Sequence, residues 1–491
     1  MSMFPEYARQ MLRRKSVDAL RAVTEAEGGT ELKRSLGVTR LALLGISSTI
    51  GTGIFFIMGV ATPLAGPAVV VAFIIAGVAA ALSALCYAEL VSALPTAGSA
   101  YSAAYAALGE AAAFLLASCL LLEYGVSISA IAVTWGQYLN QLGEYLVGWS
   151  LPHYLSAPPA QGGLINLPAV ALLGMTAFLL LRGARESATV NAIMVVIKVG
   201  VLIMFIMVGA TAFNTGNLHP FMPHGVTGVG AAASLIFFTY VGIDSIAAAG
   251  EEAVNPRRTL PLATMIAFIV VTTLYMGVAI VAVGAQPAAE FAGQEAGLAV
   301  ILQNVTQARW PSIVLTVGAI ISIFSITLVL LFGQTRVLYA VSRDGLLPAL
   351  FSRVNPRTGV PALNTVTVAA ASAALSGFFP LGILAEMVSI GTLSAFILAA
   401  LSVMVLRVRQ PDLPRSFRVP LYPYTPLASI ALCLYLVAGL APVTMGLFAL
   451  WLVAAGAAYV CYGMRRSRIG LDQSRGVLKK ASPARLAGQG G

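Results

Sequence analysis

Twelve apolar stretches recur along this chain of 491 residues, most of them near the length of a membrane-crossing helix. They lie near residues 39–63, 67–92, 102–139, 166–182, 188–213, 228–250, 260–285, 311–340, 362–379, 384–407, 426–441 and 443–463. About 20 helical residues cross the hydrocarbon core of a bilayer. Lipid offers no partner to an unpaired backbone group, so such segments must be helices that bond internally. The expectation is an all-α membrane protein with 12 transmembrane helices, embedded in a lipid bilayer. Charged residues make up only 10% of the chain, where a soluble domain carries roughly a quarter. The third and eighth stretches are long enough to tilt or to protrude.

The net charge of +10 invites a nucleic-acid reading, but its distribution argues for topology instead. Of the 29 Lys and Arg, eight lie in the first forty residues and nineteen flank the even-numbered spans on the same side. Lys198 falls inside a span, and Arg309 is the one basic residue in an opposite-side loop. Basic residues accumulate on the cytoplasmic side of membrane proteins. Both termini are therefore expected in the cytoplasm of a multi-pass protein of the plasma or inner membrane, with no nucleic-acid partner. The first forty residues are polar and mixed in charge, unlike a cleavable leader. The expected organisation is a cytoplasmic tail at 1–38 carrying a short amphipathic helix near 7–23. Spans one to five follow at 39–213, spans six to ten at 228–408, two more at 426–463, and a tail at 464–491.

Two spans contain residues that work against a continuous helix. In the first, Gly51-Thr52-Gly53 falls at mid-span, and each glycine weakens a helix by roughly 1 kcal/mol relative to alanine. Such glycines can also serve close helix packing. In the sixth, Gly242 and Asp244 interrupt an apolar run. Because the first and sixth spans begin two groups of five, the groups run in opposite directions across the membrane. Broken helices at matching positions of inverted halves point to a transporter's binding site.

The chemistry of the breaks follows from their loose backbone groups. Amides near Gly51, Thr52 and Gly53 open a second half-helix and favour a carboxylate. Carbonyls around Thr49 and Ile50, with those of Phe238 and Val241, can accept from an ammonium. A zwitterionic amino acid matches both. Lys198, deep in the fifth span, is a candidate by the cost of placing it there. Burial disfavours its charged form and suits reversible protonation; a fixed ammonium tying the fifth span to carbonyls of the first is the structural alternative. Glu123 in the third span can face a cationic side chain or serve as an internally bonded carboxyl. Asp244 is expected to stabilise the broken sixth helix, and Phe238 to cover the substrate. Ser322 and Ser325 are within possible reach of Lys198. Glu89, Glu251, Glu252 and Asp344 are expected in ion pairs with arginine at the cytoplasmic ends.

Other chemistry is thinly represented. Cys86, Cys119, Cys433 and Cys461 all lie in apolar stretches, a pattern of packed or lipid-facing thiols rather than a disulfide framework or metal site. His153, His219 and His224 fall in outer loops without partners. Asn304-Val305-Thr306 fits a glycosylation acceptor in an outer loop. No cofactor is expected.

Six motifs carry a resemblance: GISSTIGTGIFF, YAELVSALPTAGSAYSAAY, GARESATVNAIMVVIKVG, FFTYVGIDSIAAAGEEAVNPRRTLP, GQTRVLYAVSRDGLLP and FRVPLYPY. Running from about Leu36 to Tyr424, they are similar to the amino acid–polyamine–organocation superfamily, and within it to shorter, bacterial members of the cationic amino acid transporter family. The resemblance implies the five-plus-five inverted repeat of the leucine transporter with two further spans. It implies substrate contacts from Thr49, Thr52, Gly53, Phe238 and Val241, and a lysine, Lys198, where sodium-coupled relatives bind sodium. Glu123 resembles the third-span acid of bacterial members. The family's common GIGAIIGTGIF is here altered to Ser47-Ser48-Thr49 in its first half.

Together these features predict a secondary active amino-acid permease working by alternating access, importing cationic and/or small neutral L-amino acids with protons, not sodium. An amino-acid exchanger and a transporter-like sensor are the alternatives. An enzyme would need more acid, base and nucleophile residues at one depth than these spans contain. A further membrane subunit is left open.

Overall fold

The computed structural model describes residues 10–15, 36–51, 53–94, 99–183, 188–242, 246, 253–294, 296–355, 360–415 and 417–468. Each of the twelve apolar stretches carries helix. The first holds two, α1 (Val38–Thr49) and α2 (Gly53–Ala65). Then come α3 (Val69–Ala93), α4 (Ser99–Ala107), α5 (Glu110–Val147), α6 (Leu167–Leu181), α7 (Ala188–Gly209) and α8 (Gly225–Ile236). The second part holds α9 (Pro256–Ala285), α10 (Gly297–Thr306), α11 (Arg309–Arg343), α12 (Ala362–Phe378), α13 (Leu381–Arg409), α14 (Tyr424–Ala438) and α15 (Pro442–Ala458). Seven continuous helical stretches among the described residues are long and apolar enough to cross a membrane, and five further apolar helices are shorter. The molecule is an all-α, multi-pass membrane protein.

Two boundaries differ from the sequence expectation. The third stretch is two helices, because Gly109 takes φ +112° between α4 and α5, a conformation that L side chains rarely adopt. The additional helix α10 buries Leu298, Ala299, Ile301 and Leu302. Its last turn contains the Asn304 triplet, which therefore sits on a helix instead of a loop.

The long helix α5 lies at the centre, packed against α11 and α13, while α1 packs on α9 and α8 on α2 and α3. The first and last described segments lie at one end of the bundle. The Glu110 amide donates to the Arg13 carbonyl (2.8 Å), and the Arg468 amide donates to the Asp344 carbonyl (3.2 Å). Of the amphipathic helix expected near 7–23, the described residues show helix at 10–11 and non-helical chain at 13–15. Cys86, Cys119 and Cys433 are buried free thiols and Cys461 is an exposed one.

Candidate substrate site

The first span breaks where the glycines fall. α1 ends at Thr49, Ile50 turns to ψ 71°, and the Gly51 amide bonds the Thr49 carbonyl at 2.7 Å instead of a carbonyl four residues back. α2 resumes at Gly53; Thr52 lies outside the described residues. In the sixth span, α8 tightens into a 3-10 turn over Phe237–Tyr240, Val241 is extended, and Gly242 has φ +100°. Asp244, Glu251 and Glu252 lie outside the described residues.

The two breaks meet. Ser48 Oγ donates to the Gly242 carbonyl at 2.9 Å. A Cβ on Gly242 would stand 2.5 Å from the Ser48 carbonyl oxygen, so a side chain is excluded there by contact as well as by φ. Gly53 lies as closely on Thr239, where a Cβ would approach the Cα to 2.9 Å. The fully buried Tyr275 of α9 places its hydroxyl 2.8 Å from the Thr49 carbonyl and 3.1 Å from that of Thr239. A phenol has one proton, so the two carbonyls, one from each break, share a single donor. Nothing in the sequence marks Tyr275 beyond being a hydroxyl-bearing ring in an apolar span, where a buried tyrosine needs a polar partner.

The walls around the breaks are apolar. Phe238 is buried with its ring centroid 5.5 Å from that of Phe56, and Ile326 of α11 lies beside Gly51. One polar group among them has no hydrogen-bond partner: the buried Thr239 hydroxyl, on the residue that packs against Gly53. Native structures rarely leave a buried polar side chain unsatisfied, and binding sites are among the places where they do. The hydroxyl run Ser47-Ser48-Thr49 is partly turned to the main chain. Ser48 Oγ also reaches the Leu44 carbonyl (2.8 Å), and Thr49 Oγ1 the Gly45 carbonyl (2.8 Å).

Lys198, carried by α7, is 1% exposed and donates from Nζ to the Ser47 carbonyl at 3.1 Å, in the last turn of α1. Ser322 is buried, but its hydroxyl makes no hydrogen bond and therefore none to Lys198. Thr49, Ile50, Gly51, Gly53, Phe238 and Val241 thus gather around the two breaks, with Lys198 on the adjoining turn. Glu123 is also buried, and its backbone amide lies against Gly391 of α13.

Two buried carboxylates, Glu89 and Glu110, and the partly buried Asp344 occupy the end of the bundle where the first and last described segments meet. Glu89 receives Arg407 through Nε (2.8 Å) and Nη2 (2.6 Å), the Val419 amide (2.7 Å) and Arg415 at 3.4 Å. Asp344, expected to pair with arginine, pairs with Lys15 (2.8 Å) and Tyr101 (2.9 Å), because the N-terminal segment folds back onto the end of α11. Glu110, hidden in the sequence by its place inside an apparently continuous span, receives hydroxyls from Tyr105 (2.8 Å), Tyr459 (3.1 Å) and Ser467 (2.6 Å). Burial and the neighbouring Asp344 hold the Tyr101 phenol well above its ordinary range, and burial and Glu110 do the same for Tyr105. Both stay neutral donors to these acids.

In an all-helical membrane protein, two interrupted helices meeting in the interior mark the place where a transporter holds its substrate. The profile of the amino acid permease family matches residues 36–461, and the chain belongs to that family. It is 41% identical to the branched-chain amino acid permease BcaP of Bacillus subtilis, over 94% of this chain and 99% of that one. It is 39% identical to the methylthioribose transporter of the same organism, over 93% and 98% of the two chains. It is also 39% identical to the vacuolar cationic amino acid transporter 4 of Arabidopsis thaliana, over 82% of this chain and 68% of the relative.

Proposed function

We propose that this permease imports L-amino acids by alternating access, binding the α-amino acid between the two breaks and coupling uptake to protons through Lys198. One observation carries the reading: the breaks meet beside the unpartnered Thr239 hydroxyl, while Lys198 Nζ donates to the carbonyl of Ser47. The substrate carboxylate would take the amides that open α2. Its ammonium would take the carbonyls of Phe238 and Val241 and, in exchange for the Tyr275 hydroxyl, that of Thr49, whose oxygen otherwise accepts from Tyr275 and the Gly51 amide. A protonated Lys198 holds the last turn of α1, and a neutral one donates more weakly, which links proton release to movement of that half-helix. The cytoplasmic placement of both termini and the five-plus-five inverted repeat belong to the same proposal.

Proteoliposomes test the coupling. An inward pH gradient should drive uptake into empty vesicles, and Lys198→Ala should abolish that stimulation while leaving substrate binding measurable. Uptake that strictly requires internal amino acid would establish exchange instead. Stimulation undiminished in Lys198→Ala would remove the lysine from the coupling.

For the side chain, cationic and small neutral amino acids are proposed, with Glu123 facing the cation. A second reading, branched-chain substrates, is favoured by the apolar walls of Phe56, Phe238 and Ile326 and by the similarity to BcaP. A thermal-shift screen of the twenty amino acids and methylthioribose separates them. If Arg and Lys stabilise the protein no better than Ala, the cationic preference falls and Glu123 is structural.

A further inference from the structure

A cavity distant in sequence from the breaks opens where the N-terminal segment crosses α4 and the last turn of α13. It holds about 320 Å³, and its lining includes Arg14, Lys15, Ala106, Val405, Arg409 and Gln410. That volume lies within the range of small-molecule sites, roughly 300–1,000 Å³. Its charges are only partly matched. Lys15 is committed to Asp344 at 2.8 Å, and the oxygens of nearby Glu89 are taken by Arg407, Arg415 and the Val419 amide. Among the described residues no carboxylate pairs with Arg14 or Arg409. Two exposed guanidinium groups therefore border one cavity without a carboxylate partner among the described residues. The buried Oε1 of Gln410, in the same lining, also lacks a hydrogen-bond partner.

We propose that this cavity binds the phosphate of an anionic phospholipid headgroup. Guanidinium groups match phosphate oxygens with paired, charge-assisted bonds. A headgroup hydroxyl would donate to Gln410 Oε1. The cavity's surroundings suit a lipid better than a free ion: Leu12 in the N-terminal segment is 61% exposed, and Val408, next to Arg409, is 76% exposed. Both offer apolar surface to acyl chains beside the cationic mouth. Basic pockets between helices on the cytoplasmic side are a recurring form of headgroup site. The choice of leaflet rests on the orientation proposed above. A bound headgroup would tie the N-terminal segment to α4 and α13, adding to the tie that Lys15 makes to α11.

The full chain in detergent tests this by its melting temperature with short-chain phosphatidylglycerol, short-chain phosphatidylcholine and inorganic phosphate, at equal concentration and ionic strength. Phosphatidylglycerol should give a saturable rise and phosphatidylcholine none. The double variant Arg14→Gln/Arg409→Gln should melt normally without lipid and need roughly tenfold or more lipid for the same rise, as expected for lost bonds to charged groups. Arg418→Gln, an exposed arginine outside the lining, should respond as the unaltered protein does. The proposal is overturned by the absence of a phosphatidylglycerol-specific rise, by a rise unaltered in the double variant, or by an equal loss in Arg418→Gln. An equal rise with inorganic phosphate would overturn the lipid and leave a free-anion site. None of these outcomes bears on uptake, and failure of proton coupling would leave the melting results standing.

Discussion

Tyr275 is the residue through which the two breaks are joined. Its hydroxyl serves a carbonyl from α1 and one from the turn after α8, while Ser48 joins α1 to Gly242, just beyond that turn. Tyr275→Phe keeps the ring packing and removes the donor. Removing the one proton that the two carbonyls share, with the Gly51 amide still donating to that of Thr49, should cost about 1–3 kcal/mol of stability, read as a lower melting temperature, and maximal uptake should change by more than the apparent affinity does. A variant with unaltered melting and uptake would show that the hydroxyl is dispensable. Gly51, Gly53 and Lys198 stand out in the sequence because lipid penalises a broken helix and a buried ammonium. Tyr275 does not, since a tyrosine in an apolar helix is compatible with plain packing. Only the fold brings its hydroxyl, more than two hundred residues from Thr49, to that carbonyl.

At the scale of elements, the sequence told more about where helices lie than about how they end. Hydropathy locates all twelve stretches, yet it merges α4 with α5, because the break at Gly109 changes backbone direction without changing polarity. That merger hides Glu110 in a span when it actually caps the interface between the N-terminal segment, α4 and the residues after α15. Acid positions at span ends were readable, and their partners in part: Glu89 finds arginines as expected, whereas Asp344 finds Lys15. The Glu89 cluster holds α3 to the end of α13 and to the segment before α14. Glu89→Ala would leave Arg407 and the nearly buried Arg415 without their carboxylate. Breaking one partner of a buried pair costs about 3–5 kcal/mol, and the 18% exposure of the Arg407 side chain places this case toward the lower end. Melting of the purified variant checks it, and an unchanged transition would mean that carbonyl oxygens replace the carboxylate.

For the whole molecule, the first and last described segments meet at one end of the bundle, and the proposed orientation puts that end in the cytoplasm. A C-terminal green-fluorescent-protein fusion should therefore fluoresce in cells, and a C-terminal alkaline phosphatase fusion should be inactive; the reverse pattern would invert the orientation. The pairing of the two breaks also has a mechanical consequence. α1 cannot swing away from the turn after α8 and keep both ties, because Ser48 loses the Gly242 carbonyl and Tyr275 must abandon one of its two acceptors. The two half-helices consequently behave as one hinge with a shared pin. Departure from this arrangement is expected to be all-or-none, a single cooperative step rather than two independent loosenings.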